Sequence, residues 1–372
     1  MTPTHRSQPK VLSLVWFKIY PALFGGQKGI ALFNKYLGKY AQLDCLCASD
    51  NAIVDDAGCT ILPKLSIGKS QFYKPSNWLE LRKWLRRKRY EYVIVEFPYY
   101  AMLVWLLKHK STKFIIHTHN IEAERFKSFG KNGWHLLRWY ERWSLKKAHL
   151  VLFKTTADKA YALREYGLQA SKTYVLPYGV EGLPTINKTA AKKILEQKHG
   201  IQPNEKLLFF AGTLDYAPNA EAVNLIIEHI EPLLQQKLPA YKIIICGRNK
   251  NHLSFDNNSN IVYVGLVENI HPYFAAADCF ISPVRNVHGI QTKILDALNY
   301  GLNVICFSKA SENFPPYLSP KLFPVAESDY AGFADAIVQS LSATFDTAEA
   351  FYEEFGWEVI VKNFVNHLEA SA

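Results

Sequence analysis

Residues 282–301 read Ser282-Pro283-Val284-Arg285-Asn286-Val287-His288-Gly289-Ile290-Gln291-Thr292-Lys293-Ile294-Leu295-Asp296-Ala297-Leu298-Asn299-Tyr300-Gly301. An apolar strand ends in proline, a loop passes through Gly289, and a helix is expected from about Gln291. The unpaired N–H groups of such a helix start favour an anion. Thr292 and Lys293 add a hydroxyl and a charge, and Asp296, one turn on, can accept hydrogen bonds from a ribose or sugar diol. In outline this is a site for a nucleoside diphosphate; the plainer alternative is a capped helix with an exposed aspartate.

Outward from this stretch, short apolar runs alternate with helical patterns, as in parallel βαβ units. The expected strands are Val11 to Phe17, Leu43 to Ala48, Tyr92 to Phe97, Phe114 to Thr118, Leu150 to Lys154 and Thr173 to Leu176, then Leu207 to Ala211, Lys242 to Cys246, Ile261 to Val264, Cys279 to Pro283 and Val304 to Phe307. Residues 330–372 read as two helices. Turn residues crowd the stretch from Pro177 to Lys188, so the chain divides there. The expected fold is α/β, with two doubly wound Rossmann-like domains at 1–182 and 183–345 facing a central cleft, and a helical segment at 346–372. Ligands of such sheets sit beyond the carboxyl ends of the strands.

A chain of 372 residues has length for two cores, and 49% hydrophobic with 20% charged residues is a globular composition. No apolar run approaches a membrane span and no secretion signal is read at the start, so a cytoplasmic protein is expected. The six cysteines have neither zinc-ligand spacing nor the look of a disulfide framework, and no metal or cofactor is expected. Charge is uneven: the first 180 residues hold 29 Lys and Arg against 12 Asp and Glu, while the remainder is net acidic. Seven of the eight tryptophans share the basic half, a pairing that suits an anionic membrane surface. Nucleic acid is the less favoured partner, since no reader motif accompanies the charge.

Two further features stand out in the basic half. Phe24-Gly25-Gly26-Gln27-Lys28-Gly29 follows the first strand and opens a helix, where Gly25 and Gly26 allow close backbone approach to an anion; the alternative is a turn needing positive φ. It lacks the dinucleotide fingerprint. From Trp78 to Tyr90, Trp78, Leu81, Trp84 and Leu85 cluster on one side of a helix, with Arg82, Lys83, Arg86, Arg87 and Arg89 over most of the other. Such a helix suits attachment to anionic lipid, or packs on its sheet with a solvated basic face.

The second half resembles the donor domain of retaining GT-B glycosyltransferases of family 4, also called group 1 transferases. The resemblance rests on Phe210-Ala211-Gly212-Thr213-Leu214, Pro218-Asn219, Ile243 to Arg248, Val264-Gly265-Leu266-Val267-Glu268, Ala275 to Asp278 with Ile281-Ser282-Pro283, and Gly289 to Ala297 with Gly301. The first half matches more loosely, through the glycine loop and His117-Thr118-His119-Asn120-Ile121-Glu122; Phe355-Gly356-Trp357-Glu358 resembles the start of the terminal helix that crosses back in this fold.

The resemblance implies sugar transfer from a nucleotide-diphosphate sugar, with retention and without metal, onto a glycan or lipid-linked glycan. It places the base on the backbone of Gly265, Leu266 and Val267, the diphosphate on Gly289, Ile290, Gln291 and Thr292, and the ribose on Asp296. Two glutamates of the family pattern are replaced here by His288 and Asp296, and the stretch from Asp215 to Asn219 lacks the family's cationic pair. Lys293, Arg248, Arg285 and Lys28 are the cations that remain to neutralise the diphosphate. His119, just past a strand, is the residue expected near the reacting carbon. Glu122 and Glu124 are expected to cap the following helix in preference to binding acceptor hydroxyls. Other classes compatible with the departures are an inactive sugar- or nucleotide-binding protein and a sugar-nucleotide epimerase.

Overall fold

The structure, a computed structural model, describes residues 8–22, 25–68, 70–182, 187–249, 253–255, 258–285, 290–312, 314–343 and 345–370. It forms two compact units, residues 1–179 with 357–372, and residues 180–356.

The first unit runs β1 (Lys10–Val15), α1 (Gly25–Leu37), β2 (Gln42–Ala48), β3 (Thr60–Leu65), α2 (Pro75–Arg87), β4 (Tyr92–Glu96), α3 (Ala101–Leu107), β5 (Lys113–His117), α4 (Glu122–Ser128), α5 (Trp134–Lys147), β6 (Leu150–Phe153), α6 (Thr156–Tyr166) and β7 (Thr173–Val175). Its sheet has the order β3-β2-β1-β4-β5-β6-β7, and its registered pairs are parallel. Helices α2, α3, α5 and α6 cover one face around Leu81, Leu85, Val104 and Leu145, and α1 covers the other with Phe33 and Leu37. Covered on both faces, the strands read as unbroken apolar runs, which is why they were legible.

The second unit runs α7 (Lys188–His199), β8 (Lys206–Ala211), α8 (Ala217–Leu225) continued through a π-helical turn (Ile226–Ile230) into α9 (Glu231–Leu234), β9 (Tyr241–Cys246), β10 (Ile261–Gly265), α10 (His271–Ala276), β11 (Cys279–Ser282), α11 (Thr292–Asn299), β12 (Asn303–Phe307), α12 (Ser308–Ser311), β13 (Leu322–Val325), α13 (Tyr330–Ser342) and α14 (Glu349–Phe355). The order β10-β9-β8-β11-β12-β13 is the doubly wound arrangement, with its switch point between β8 and β11.

Two strands were not expected from the sequence, β3 and β13. Each is the edge strand of its sheet and each contains a proline, Pro63 or Pro324, the residue that interrupts a strand pattern and that an edge tolerates. The segment expected as two terminal helices forms three: α13, α14 and α15 (Trp357–Ala370). The units divide at 179/180 and 356/357, whereas 182/183 and 345/346 were expected. Helix α14 stays with the second unit, where the Val180 N–H donates to the Phe355 carbonyl at 2.7 Å.

Helix α15 returns to the first unit and packs beside α1, with the rings of Phe33 and Phe364 at 5.8 Å. Trp357 is fully buried and lies flat on Gly179, where a Cβ would stand 2.7 Å from the indole. Trp357→Ala removes this packing and is expected to cost about 3–5 kcal/mol, read as a lower urea midpoint, and Gly179→Ala should destabilise by forcing the indole aside.

Candidate functional site

In the first unit the carboxyl ends of β4, β5 and β6 bring together Glu96, His117, His119 and Lys154. Glu96 accepts from His117 Nδ1 at 3.0 Å and from His119 Nε2 at 2.7 Å. Glu96 and His117 are wholly buried, and the His119 side chain keeps 15% of its exposure. Burial alone would raise the Glu96 pKa, but the ring nitrogens against it lower it. Burial lowers both histidines, His117 to about 3, so both rings are neutral. Burial also draws Lys154 down to about 8, and its Nζ has no hydrogen-bond partner. Phe97, directly after Glu96, stacks on His119 with centroids 4.5 Å apart and has φ of 63°, a strained backbone for a bulky residue.

The ligand atoms of Glu96, His117 and His119 lie within 4.8 Å of one another, a group that could hold a metal ion. Sequence spacing did not show it, because Glu96 comes from another strand. Both carboxylate oxygens already accept from ring nitrogens, and the Lys154 charge acts on both histidines and would oppose a dication. Hydrogen bonding is the arrangement these atoms favour.

Glu122 and Glu124 do not cap α4. Glu141 of α5 accepts from the N–H groups of Glu122 at 2.8 Å and Ala123 at 3.1 Å, while Glu124 accepts from Tyr161 at 2.7 Å. The Glu122 carboxylate takes hydrogen bonds from Tyr99, Asn120 and Arg125. Gly25 and Gly26 lie in the first turn of α1, whose N–H groups lack intrahelical partners, and Gly26 does not have positive φ. Lys28 is half-buried in the same turn. Gly29 serves packing, since a Cβ there would come 2.6 Å from the Tyr178 ring.

Helix α2 is a packed helix. Leu81 and Leu85 are buried, Trp84 is half-buried and donates to Glu80, and Trp78 donates to the Phe72 carbonyl. Arg82 and Arg86 are exposed.

In the second unit three glycines close the carboxyl edge of the sheet. The Gly212 N–H donates to the Cys246 carbonyl and the Gly247 N–H to that of Gly265, each at 2.9 Å. Gly247 has φ of 155° and a Cβ there would meet the Gly212 carbonyl oxygen at 1.8 Å, so the loops approach as only glycine allows. Gly265 has φ of 71°; Leu266 is exposed and Val267 half-buried beside it.

The candidate cations differ sharply. Arg248 is ion-paired with Asp215, and Arg285 is held by Glu221 and Tyr330. Lys293, in the first turn of α11, donates to Asn219 Oδ1 at 2.9 Å and lies 4.6 Å from the Phe210 ring centroid. Burial brings its pKa to about 7. Thr292 and Asp296 share the less buried side of α11, four residues apart. Ile290 precedes the helix, half-buried. Gln291 accepts from Ser282 at 2.9 Å, which leaves its Nε2 buried without a partner. His288 and Gly289 lie outside the described residues. Glu96, Lys154 and Asn219 were missed as site residues; the available signal was a charge closing each of two apolar strands.

Residues 42–181 match the family model for Glycosyltransferase Family 4, and residues 205–343 match that for Glycosyl transferases group 1. The chain carries glycosyltransferase domains. Alpha-monoglucosyldiacylglycerol synthase of Streptococcus pneumoniae is 27% identical over 220 residues, 54% of this chain; the match spans about half of that relative, 47% of its length. Among solved structures, sucrose-phosphate synthase of Thermosynechococcus elongatus superposes with a TM-score of 0.77 at 14% identity, covering 98% of this chain and 100% of that one. Anabaena HepE, solved in complex with UDP and glucose, gives 0.71 at 15% identity over 97% and 99% of the two chains. A glycosyltransferase of Rickettsia africae gives 0.71 at 15% identity over 98% and 99%. These likenesses establish two parallel-sheet, Rossmann-like units of GT-B type.

With its pKa lowered by burial, Lys293 would couple anion binding at the start of α11 to uptake of a proton. At pH 8 the amine is mostly neutral, and a diphosphate placed beside it raises its pKa. Binding of UDP is expected to take up roughly one proton at pH 8 and almost none at pH 6, measured by calorimetry in buffers of different ionisation enthalpy, and Lys293→Met should abolish the uptake.

Proposed function

We propose that this protein transfers a sugar from a nucleotide-diphosphate sugar to a glycan or lipid-linked glycan, with retention and without a metal ion. The observation that carries the reading is Lys293: a half-buried amine at the start of a helix, held by a neutral amide, whereas Arg248 and Arg285 are paired to carboxylates. The helix N–H groups and this charge can stabilise the leaving diphosphate, so that catalysis consists of positioning and charge stabilisation. Gly265, Leu266 and Val267 offer backbone to the base, and Asp296 and Thr292 offer oxygens to the ribose and phosphate; in the first unit, His119 is the residue assigned to a sugar. The substrate classes named for the pneumococcal relative and for HepE support this reading.

The acceptor side belongs to a membrane surface in this proposal, on the cytoplasmic face. No described helix is long and apolar enough to cross a membrane. Helices α3 and α5 instead expose Met102, Trp105, Leu106, Leu136 and Trp139, with Leu136 at 72% and Trp139 at 65%. Trp105 stands 5.8 Å from Trp143 and carries Lys147 over its ring, and α2 packs on α3 with its arginines outward. Exposed indoles flanked by lysine and arginine suit the headgroup zone of anionic lipid.

Thermal unfolding with UDP-, GDP-, ADP- and dTDP-sugars in the absence of metal tests the donor site. A donor at 100 times its Kd should stabilise by about 2.7 kcal/mol, and Asp296→Ala should remove the shift; no shift with any donor would overturn the reading. Turnover only with an acceptor separates transfer from epimerisation and from mere binding. Sedimentation with vesicles should show binding to phosphatidylglycerol-rich but not phosphatidylcholine vesicles, weakened about tenfold or more by Leu136→Ser with Trp139→Ser.

A further inference from the structure

The pair of histidines on one carboxylate has a consequence for the direction of the His119 ring. An ionised Glu96 can only accept, so the ring nitrogens that face it must carry hydrogen: Nε2–H on His119 and Nδ1–H on His117. The outer nitrogen of His117, Nε2, is buried without a partner, and in this tautomer it is a lone pair and not a stranded N–H. His119 is then held at one edge by Glu96 and on one face by the Phe97 ring, whose backbone is strained at the residue next to Glu96. Its Nδ1 is left as an acceptor.

We propose that Glu96 is the positioning residue of the sugar site, fixing His119 as the Nε2–H tautomer so that Nδ1 accepts a hydrogen bond from a sugar hydroxyl. This rests on the reading of His119 as a sugar-facing residue. The choice of tautomer selects the ligand: a neutral Nδ1 recognises an O–H and offers nothing to a phosphate oxygen, which would need an N–H. Glu96 thus acts through His119 and does not itself touch substrate.

The test has two arms. Nitrogen-15 spectra of the histidine-labelled protein, with His119 assigned by His119→Asn, should show a neutral Nε2–H ring near pH 7; a neutral Nδ1–H ring would overturn the proposal whatever the enzyme's substrate. In the second arm, Glu96→Gln should lower kcat with UDP-glucose by roughly 10- to 100-fold with KM changed less than about threefold. In the His119→Asn background the same substitution should add no further loss, since Glu96 would have nothing left to orient. An equal loss in both backgrounds, or a stoichiometric metal held by Glu96, His117 and His119 whose removal abolishes turnover, would overturn it. If UDP-glucose is not turned over, the transferase reading is in question while the spectra still decide the tautomer.

Discussion

A parallel sheet covered by helices on both faces takes a charged side chain most readily where a strand ends. The buried charges of the first unit's candidate site sit at such ends. Glu96 closes β4, His117 closes β5, and Lys154 follows β6, all at the same edge of one sheet. In the other unit the glycines after β8 and β9 and at the end of β10 line the matching edge, and α11 begins after β11. The interior of each sheet is left to leucine, isoleucine, valine and phenylalanine, whose burial supplies the stability against which charges and strain at the edges are tolerated.

At those edges, charge is matched unevenly. The first unit satisfies its buried carboxylates with local donors: Glu96 with two imidazoles, Glu122 with Arg125 and a tyrosine hydroxyl, Glu141 with helix N–H groups and Tyr166. Glu141, a carboxylate in the role of a helix cap, is raised to about 7 by its burial despite those bonds. In the second unit Arg248 and Arg285 are already committed to Asp215 and Glu221, while Lys293 rests on an amide. Of these three cations, Lys293 is the one an anion could approach without displacing a carboxylate.

The uneven charge of the chain now has a surface. The basic, tryptophan-rich half is the unit whose outer helices expose Trp105, Trp139 and Leu136. The amphipathic pattern of α2 pointed toward this feature, yet its apolar stripe is spent on the core through Leu81 and Leu85. Apolar residues on α3 and α5, unremarkable as a pattern, are exposed alongside Trp78 and Leu79 of α2.

What the sequence determined by itself was the order of the strands' apolar runs, the two-unit plan, the glycine-rich turns and the segment around Lys293 and Asp296. Each is a local signal, readable because a doubly covered strand needs a continuous apolar run and a helix start needs a recognisable opening. The edge strands escaped because Pro63 and Pro324 interrupt their pattern. Only the tertiary structure decided what each buried charged group is bonded to. Arg248 with Asp215, Lys293 with Asn219, Glu141 at the start of α4, and Glu96 between two histidines join residues 19 to 74 positions apart. Such pairings depend on which strand ends lie side by side, and in a parallel sheet that adjacency is set by crossover connections and not by sequence distance.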